Sequence, residues 1–288
     1  MFPEFEYIIP SDLSEACNFL EDHGSETKIV AGGTDLVLSL RRGGMKPCFL
    51  LDIAGLKELC QIEDAGDQVF VGAACTHTQI AESALLKKHG AILSEASGWV
   101  GSRQIRNLGT IGGNIANASP AADTVPALMV LNGQLRIVSK ESHRQVPLPE
   151  IYVGPYQTNI KPRELVAQII VEKVPQGARH HFFRMARRRA MAIARINGAV
   201  LLWRKKDNGP IEEIRISIGS VTPIPCRVTE AENLLIGTIP SEEMIERACR
   251  MVERRMLEVS GVRKSTEYKQ PVVSALVRRA IENLLAKG

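Results

Sequence analysis

The order in which helix and strand signals follow one another constrains this chain most. They alternate up to about residue 175 and are grouped after it, a pattern that predicts an α/β unit followed by a smaller α+β unit. Ser11 precedes a helical pattern that puts Leu13, Ala16, Cys17 and Leu20 on one face, and Gly24 suits its end. Strands are predicted at 28–31, breaking at Gly32-Gly33, and at 48–53 and 68–75. Helical stretches follow around 79–88 and 94–101. Residues 107–126 hold glycines, two prolines and little periodicity, which predicts a long ordered loop of functional weight. Strands resume at 134–139 and 165–174. The stretch 176–181 reads as a domain boundary, because helical and basic character rises after it. Strands at 199–205 and 211–221 read as a pair across the turn Asp207-Asn208-Gly209. One closing helix starts at Ser241. The last, over 272–285, carries an apolar stripe of Val273, Leu276, Val277, Ala280, Ile281 and Leu284.

Composition narrows the function. The 288 residues suffice for about two domains and a sizeable core. The net charge of +4 is too small to indicate a nucleic-acid binder. Six cysteines are scattered with no CxxC spacing, so the chain offers no local zinc or iron–sulfur motif and reads as belonging to a reducing compartment. The N-terminal segment lacks a basic region and an apolar core, and no apolar run spans a membrane. A soluble cytoplasmic protein is expected.

Two glycine loops carry the chemistry. The first, Ile29-Val30-Ala31-Gly32-Gly33-Thr34-Asp35-Leu36, runs from a strand into a double glycine, a hydroxyl and a carboxylate. The second, Thr110-Ile111-Gly112-Gly113-Asn114-Ile115, continues to Ser119 and Asp123. Glycines let a ligand lie against the backbone, and consecutive amides form a concave anion site. Taken singly, a Gly-Gly turn after a strand is most often only a tight turn. Two of them, each beside a hydroxyl, point to ligand binding. Neither fits GxGxxG or GxxxxGK[ST], so Rossmann and P-loop readings lack their fingerprints.

AGGTDL at 31–36 and TIGGNIANASPAADTVP at 110–126 resemble the two FAD-contacting loops of molybdenum hydroxylase flavoprotein subunits. FFRMARRRAMAIARINGAV at 182–200 and IGSVTPIPCRVTEAENLLIG at 218–237 resemble the same family's C-terminal segments. The resemblance covers nearly the whole chain in order. It implies a PCMH-type FAD-binding module over 1–175, with subdomains at about 1–54 and 55–175. A C-terminal α+β domain over 176–288 follows. It further implies an FAD-dependent oxidoreductase subunit, with [2Fe–2S] clusters in a small partner subunit and molybdopterin in a large one. Electrons would then leave through FAD to NAD or another acceptor.

Carried over by position, Ile29 to Leu36 and Thr110, Ile111, Gly112, Gly113 and Asn114 would wrap the FAD pyrophosphate with backbone amides. Ser119 would add a hydroxyl, and Asp123 would make a polar contact. Arg184 would place a cation near the flavin, and Val100 and Val166 would make apolar contacts. Some relatives have an aromatic residue where Val100 stands, and carbon monoxide dehydrogenase-type members a tyrosine about where Met191 stands, so the ring face is expected to be stacked differently here or left open.

No side chain is expected to act as a catalytic acid or base, no metal ligand set is seen, and no HExxH or GxSxG anchors a hydrolase reading. Arg187, Arg188, Arg189, Arg195 and 204–206 make the most basic stretch, read as a solvated helix face or as contact with an acidic partner. His180-His181 reads as a surface pair, and nothing marks His77. Two other readings stay open: a stand-alone FAD oxidoreductase of this fold, and a flavin-free scaffold.

Overall fold

In the computed structural model, which describes residues 3–188 and 191–286, the chain forms three sheets in succession and one small hairpin. The first sheet is parallel. Its strands β1 (Glu6–Ile8), β2 (Thr27–Val30) and β3 (Phe49–Asp52) lie in the order β1-β3-β2. Parallel neighbours need crossover connections, and α1 (Leu13–His23) and α2 (Leu36–Arg41) stand in them. The face expected of α1 is the buried one, with Ala16, Cys17 and Leu20 packed against Leu51 and Ile53. Its cap is Asp12 rather than Ser11. The Asp12 carboxylate accepts from the Glu15 amide, while Ser11 donates to the Glu15 side chain.

The second sheet is antiparallel. It comprises β4 (Ile62–Ala65), β5 (Gln68–Gly72), β6 (Gln134–Val138) and β7 (His143–Pro147). After a hairpin of β8 (Tyr152–Gly154) and β9 (Gln157–Thr158), β10 (Leu165–Glu172) inserts centrally to give β4-β5-β10-β6-β7. β4 and β7 gave no strand signal in the sequence because they are polar edge strands, and the positions β7 turns inward are Arg144 and Val146, of which only one is apolar. Between β5 and β6 the chain packs a run of short helices: α3 (His77–Glu82), α4 (Ala84–His89), α5 (Ala91–Gly98), α6 (Arg103–Leu108), α7 (Ile111–Asn117) and α8 (Thr124–Val130). The short α9 (Leu148–Ile151) follows β7. The single helix expected around 79–88 is two, because Ser83 ends α3 and its hydroxyl caps α4 at Leu86.

The expected long loop at 107–126 is also corrected. It contains α7 and the start of α8, and what looked like loop composition is a helix entry built for close approach. A Cβ at Gly112 would stand 2.7 Å from the Ala73 carbonyl oxygen, so glycine is required there by packing rather than by disorder.

The third sheet is antiparallel, with β11 (Arg179–Met185), β12 (Ile196–Trp203), β13 (Glu213–Gly219) and β14 (Cys226–Arg227) in sequence order. The helical character expected after 181 is wrong. Phe182 and Phe183 point to opposite faces and both are buried, which is a strand pattern. β12 and β13 form the expected pair. α10 (Thr229–Leu235), not foreseen, precedes the two closing helices α11 (Glu242–Ser260) and α12 (Thr266–Ala286). Ser241 caps α11 by accepting from the Met244 amide, and the stripe of α12 buries Val273, Val277, Ala280, Ile281 and Leu284. β12 is covered on both sides. Ala199 and Leu201 join Phe182 in the core that backs the second sheet, whereas Val200 and Leu202 face α11 and α12 with Phe183.

Candidate functional site

The first glycine loop leaves β2 and enters α2 through a turn in which Gly33 adopts φ +66°, a left-handed conformation that favours glycine. Gly32 packs so closely on the second loop that an added Cβ would fall on the Leu108 carbonyl. The two loops therefore meet backbone to backbone. Between them lies an open groove of about 470 Å³, within the range of small-molecule and cofactor sites. Ile29, Val30, Ala31, Gly32, Gly33, Thr34, Asp35 and Leu36 line one side of it, and Thr110, Gly113, Asn114 and Val100 line the other.

The donors on the two sides differ. The amides of Gly32, Gly33, Thr34 and Asp35 donate to no described residue, so the first loop presents a run of open N–H groups. From Ile111 onward the second loop has spent its own: Ile111 donates to the Cys75 carbonyl and Gly112 to that of Ala73. Gly113 donates to the Thr110 hydroxyl and Asn114 to the Thr110 carbonyl. Ile111 and Gly112 are buried and do not line the groove. Asn114 accepts from the Thr124 hydroxyl at 2.6 Å, which fixes the groove wall to α8.

Besides Ile111 and Gly112, four residues singled out in the sequence lie outside the groove lining. Ser119 accepts from the Ala121 amide, and Val166 is buried on β10. Asp123 and Arg184 meet each other: Arg184 Nε stands 3.0 Å from Asp123 Oδ2, with both side chains under 10% exposed. Asn197 donates to Asp123 Oδ1 at 3.0 Å, and Arg184 also donates to the Ala192 carbonyl. Burial pushes the Asp123 carboxyl up from the usual carboxylate range, against the opposing pull of Asn197 and Arg184. The pair thus ties the start of α8 to β11 and β12.

One groove residue was passed over in the sequence. His77 opens α3, is 2% exposed, and lines the groove between the loops. Nothing in ACTHTQI signals it, because its placement depends on Gly109 and Thr110 arriving from another segment: the His77 amide donates to the Gly109 carbonyl. The basic stretch is not a helix face. Arg187, Arg188 and Arg195 are exposed, with Met191 64% exposed at φ +50°; Arg189 lies outside the described residues. His180 stands 3.6 Å from Glu95. All six cysteines are free, and the described residues contain no group of three metal-ligating side chains.

The fold and site thus define an α/β unit with an amide-rich groove, continued by a sheet backed by long helices. Residues 3–174 match the family described as the FAD binding domain in molybdopterin dehydrogenase, and 181–284 match the CO dehydrogenase flavoprotein C-terminal domain. The chain belongs to this molybdenum hydroxylase flavoprotein family, whose members are oxidoreductase subunits. It is 31% identical to the 6-hydroxypseudooxynicotine dehydrogenase complex subunit alpha of Paenarthrobacter nicotinovorans, over 99% of this chain and 96% of that one. To the nicotinate dehydrogenase FAD-subunit of Eubacterium barkeri it is 29% identical, over 98% and 96%. The fold superposes on the reconstituted CO dehydrogenase from Oligotropha carboxidovorans with a TM-score of 0.92 at 28% identity, over 100% of both chains.

Proposed function

We propose that this chain is the FAD-carrying electron-transfer subunit of a multi-subunit molybdenum hydroxylase. The observation that carries the reading is the run of open amides at 32–35, facing the second loop across one groove. Such a run fits an anionic diphosphate without any side-chain charge. FAD would supply the redox chemistry; the chain would bind it, orient it and shield it. Electrons are proposed to arrive from [2Fe–2S] clusters of a small partner subunit, fed by a molybdopterin large subunit, and to leave to NAD or another acceptor. The six scattered cysteines support delivery from a partner, since they form no cluster motif. A cytoplasmic location goes with the same reading.

Within it, Ile29 to Leu36 hold the diphosphate, Val100 lies toward the flavin, and Thr110, Gly113 and Asn114 form the facing wall, with Ile111 and Gly112 buried behind it. Ser119, Asp123, Val166 and Arg184 are proposed to support that wall toward the flavin end. The proposed division of the chain is 1–175, with subdomains at about 1–54 and 55–175, and 176–288. Purified protein should show a flavin absorption spectrum, or acquire one on adding FAD. Heat release followed by mass identification should return FAD. A colourless protein that FAD does not stabilise would overturn the assignment in favour of a scaffold.

A further inference from the structure

The groove contains a histidine whose chemistry nothing described so far uses. His77 Nδ1 is sealed from solvent and has no hydrogen-bond partner, so Nε2 is the ring nitrogen left toward the groove. The ring edge next to Nε2 converges with Thr34: a Cβ built on Gly109 would stand 3.4 Å from His77 Cδ2 and 3.5 Å from Thr34 Oγ1. The imidazole therefore sits where the first loop, with its open amides, meets the second.

A neutral imidazole carries one N–H and one bare nitrogen. Burial holds His77 neutral, with its pKa lowered to about 4. Nδ1 lacks a partner in either tautomer, and an orphaned buried N–H there is the less tolerated of the two cases. Placed on Nε2, the proton points into the groove beside the open amides of the first loop. A corner where several N–H groups converge suits a ligand with acceptor oxygens.

We infer that His77 is a ligand-binding residue, its Nε2–H donating to the diphosphate oxygens of a bound dinucleotide beside the open amides of the first loop. The inference rests on the FAD reading and deepens it, since it assigns the contact to the diphosphate and not to the flavin ring. A neutral donor also suits the place: it adds a hydrogen bond to an anion without adding charge next to Arg106.

The test is calorimetric titration of the full-length apoprotein with FAD and with ADP, in wild type, His77→Leu and His77→Gln. Leucine removes the donor, whereas glutamine keeps an N–H at the reach of Nε2. Hydrogen bonds to charged groups are worth enough to predict a loss of about tenfold or more in affinity for both ligands in H77L. H77Q should stay within about threefold of wild type. Equal affinity in H77L and wild type would overturn the inference while leaving FAD binding intact. A loss for FAD but not for ADP would overturn the diphosphate contact. Should H77L fail to fold, H77Q against His77→Asn, whose amide falls short, makes the same comparison, and equal affinities there would overturn it as well. A wild-type chain that binds neither ligand would overturn the FAD reading itself, and this inference with it.

Discussion

His77 also leaves a mark on stability. Desolvation, helped by the Arg106 charge, disfavours its protonated form and lowers its pKa from 6.5 to about 4. Between those values the unfolded chain binds a proton that the folded chain does not. Stability from this residue is therefore complete above pH 6.5 and is lost as the pH falls toward 4. The expected loss between pH 7 and 5 is about 2 kcal/mol. Denaturant unfolding of wild type and H77L at the two pH values should show the wild type losing that much more than the variant; equal losses would refute the assignment. Residues of this kind were the least legible in the sequence. The glycine loops stood out because glycine is unusual in itself, and residues 29–36 with Thr110, Gly113 and Asn114 line one groove, whereas Ile111 and Gly112 are buried behind it. His77 and the Arg184–Asp123 pair become visible only when segments distant in sequence meet.

At the scale of elements, legibility followed burial pattern. α1, α12 and the β12–β13 pair announce themselves because each has one apolar face or a continuous apolar run. Edge strands β4 and β7 bury too little for alternation to show, and α7 hides behind glycines that packing against Ala73 requires. The stripe of α12 has a measurable weight. Ile281 is fully buried against the core of the third sheet, so Ile281→Ala should cost about 3 kcal/mol by leaving a cavity. Because Ile281 lies outside the groove, flavin content of the folded variant should equal that of wild type, by absorbance. A variant that folds normally yet loses flavin would place the cofactor elsewhere.

For the molecule as a whole, the Arg184–Asp123–Asn197 cluster is one of several polar ties between the helices over the second sheet and the third sheet. Both charged side chains are nearly sealed from water. Breaking the pair from one side should therefore be worse than removing it. Arg184→Met alone is expected to cost about 3–5 kcal/mol, because Asp123 is left buried without its cation. Arg184→Met with Asp123→Asn should cost clearly less than the sum of the two single changes. Additive losses in a double-mutant cycle would mean that the pair contributes no coupling. The sequence resemblance named both residues but assigned each to the cofactor, and it gave no hint that they bind each other.

The double-sided burial of β12 has a consequence for how the polypeptide is made. A ribosome that has released the first 175 residues has not yet delivered Phe182, Ala199 or Leu201, which complete the apolar layer behind the second sheet. The leading portion therefore emerges with an uncovered oily face, and it stays uncovered until the strand that closes it has left the exit tunnel. Nascent chains arrested before that point should recruit holding chaperones, and those arrested beyond it should release them.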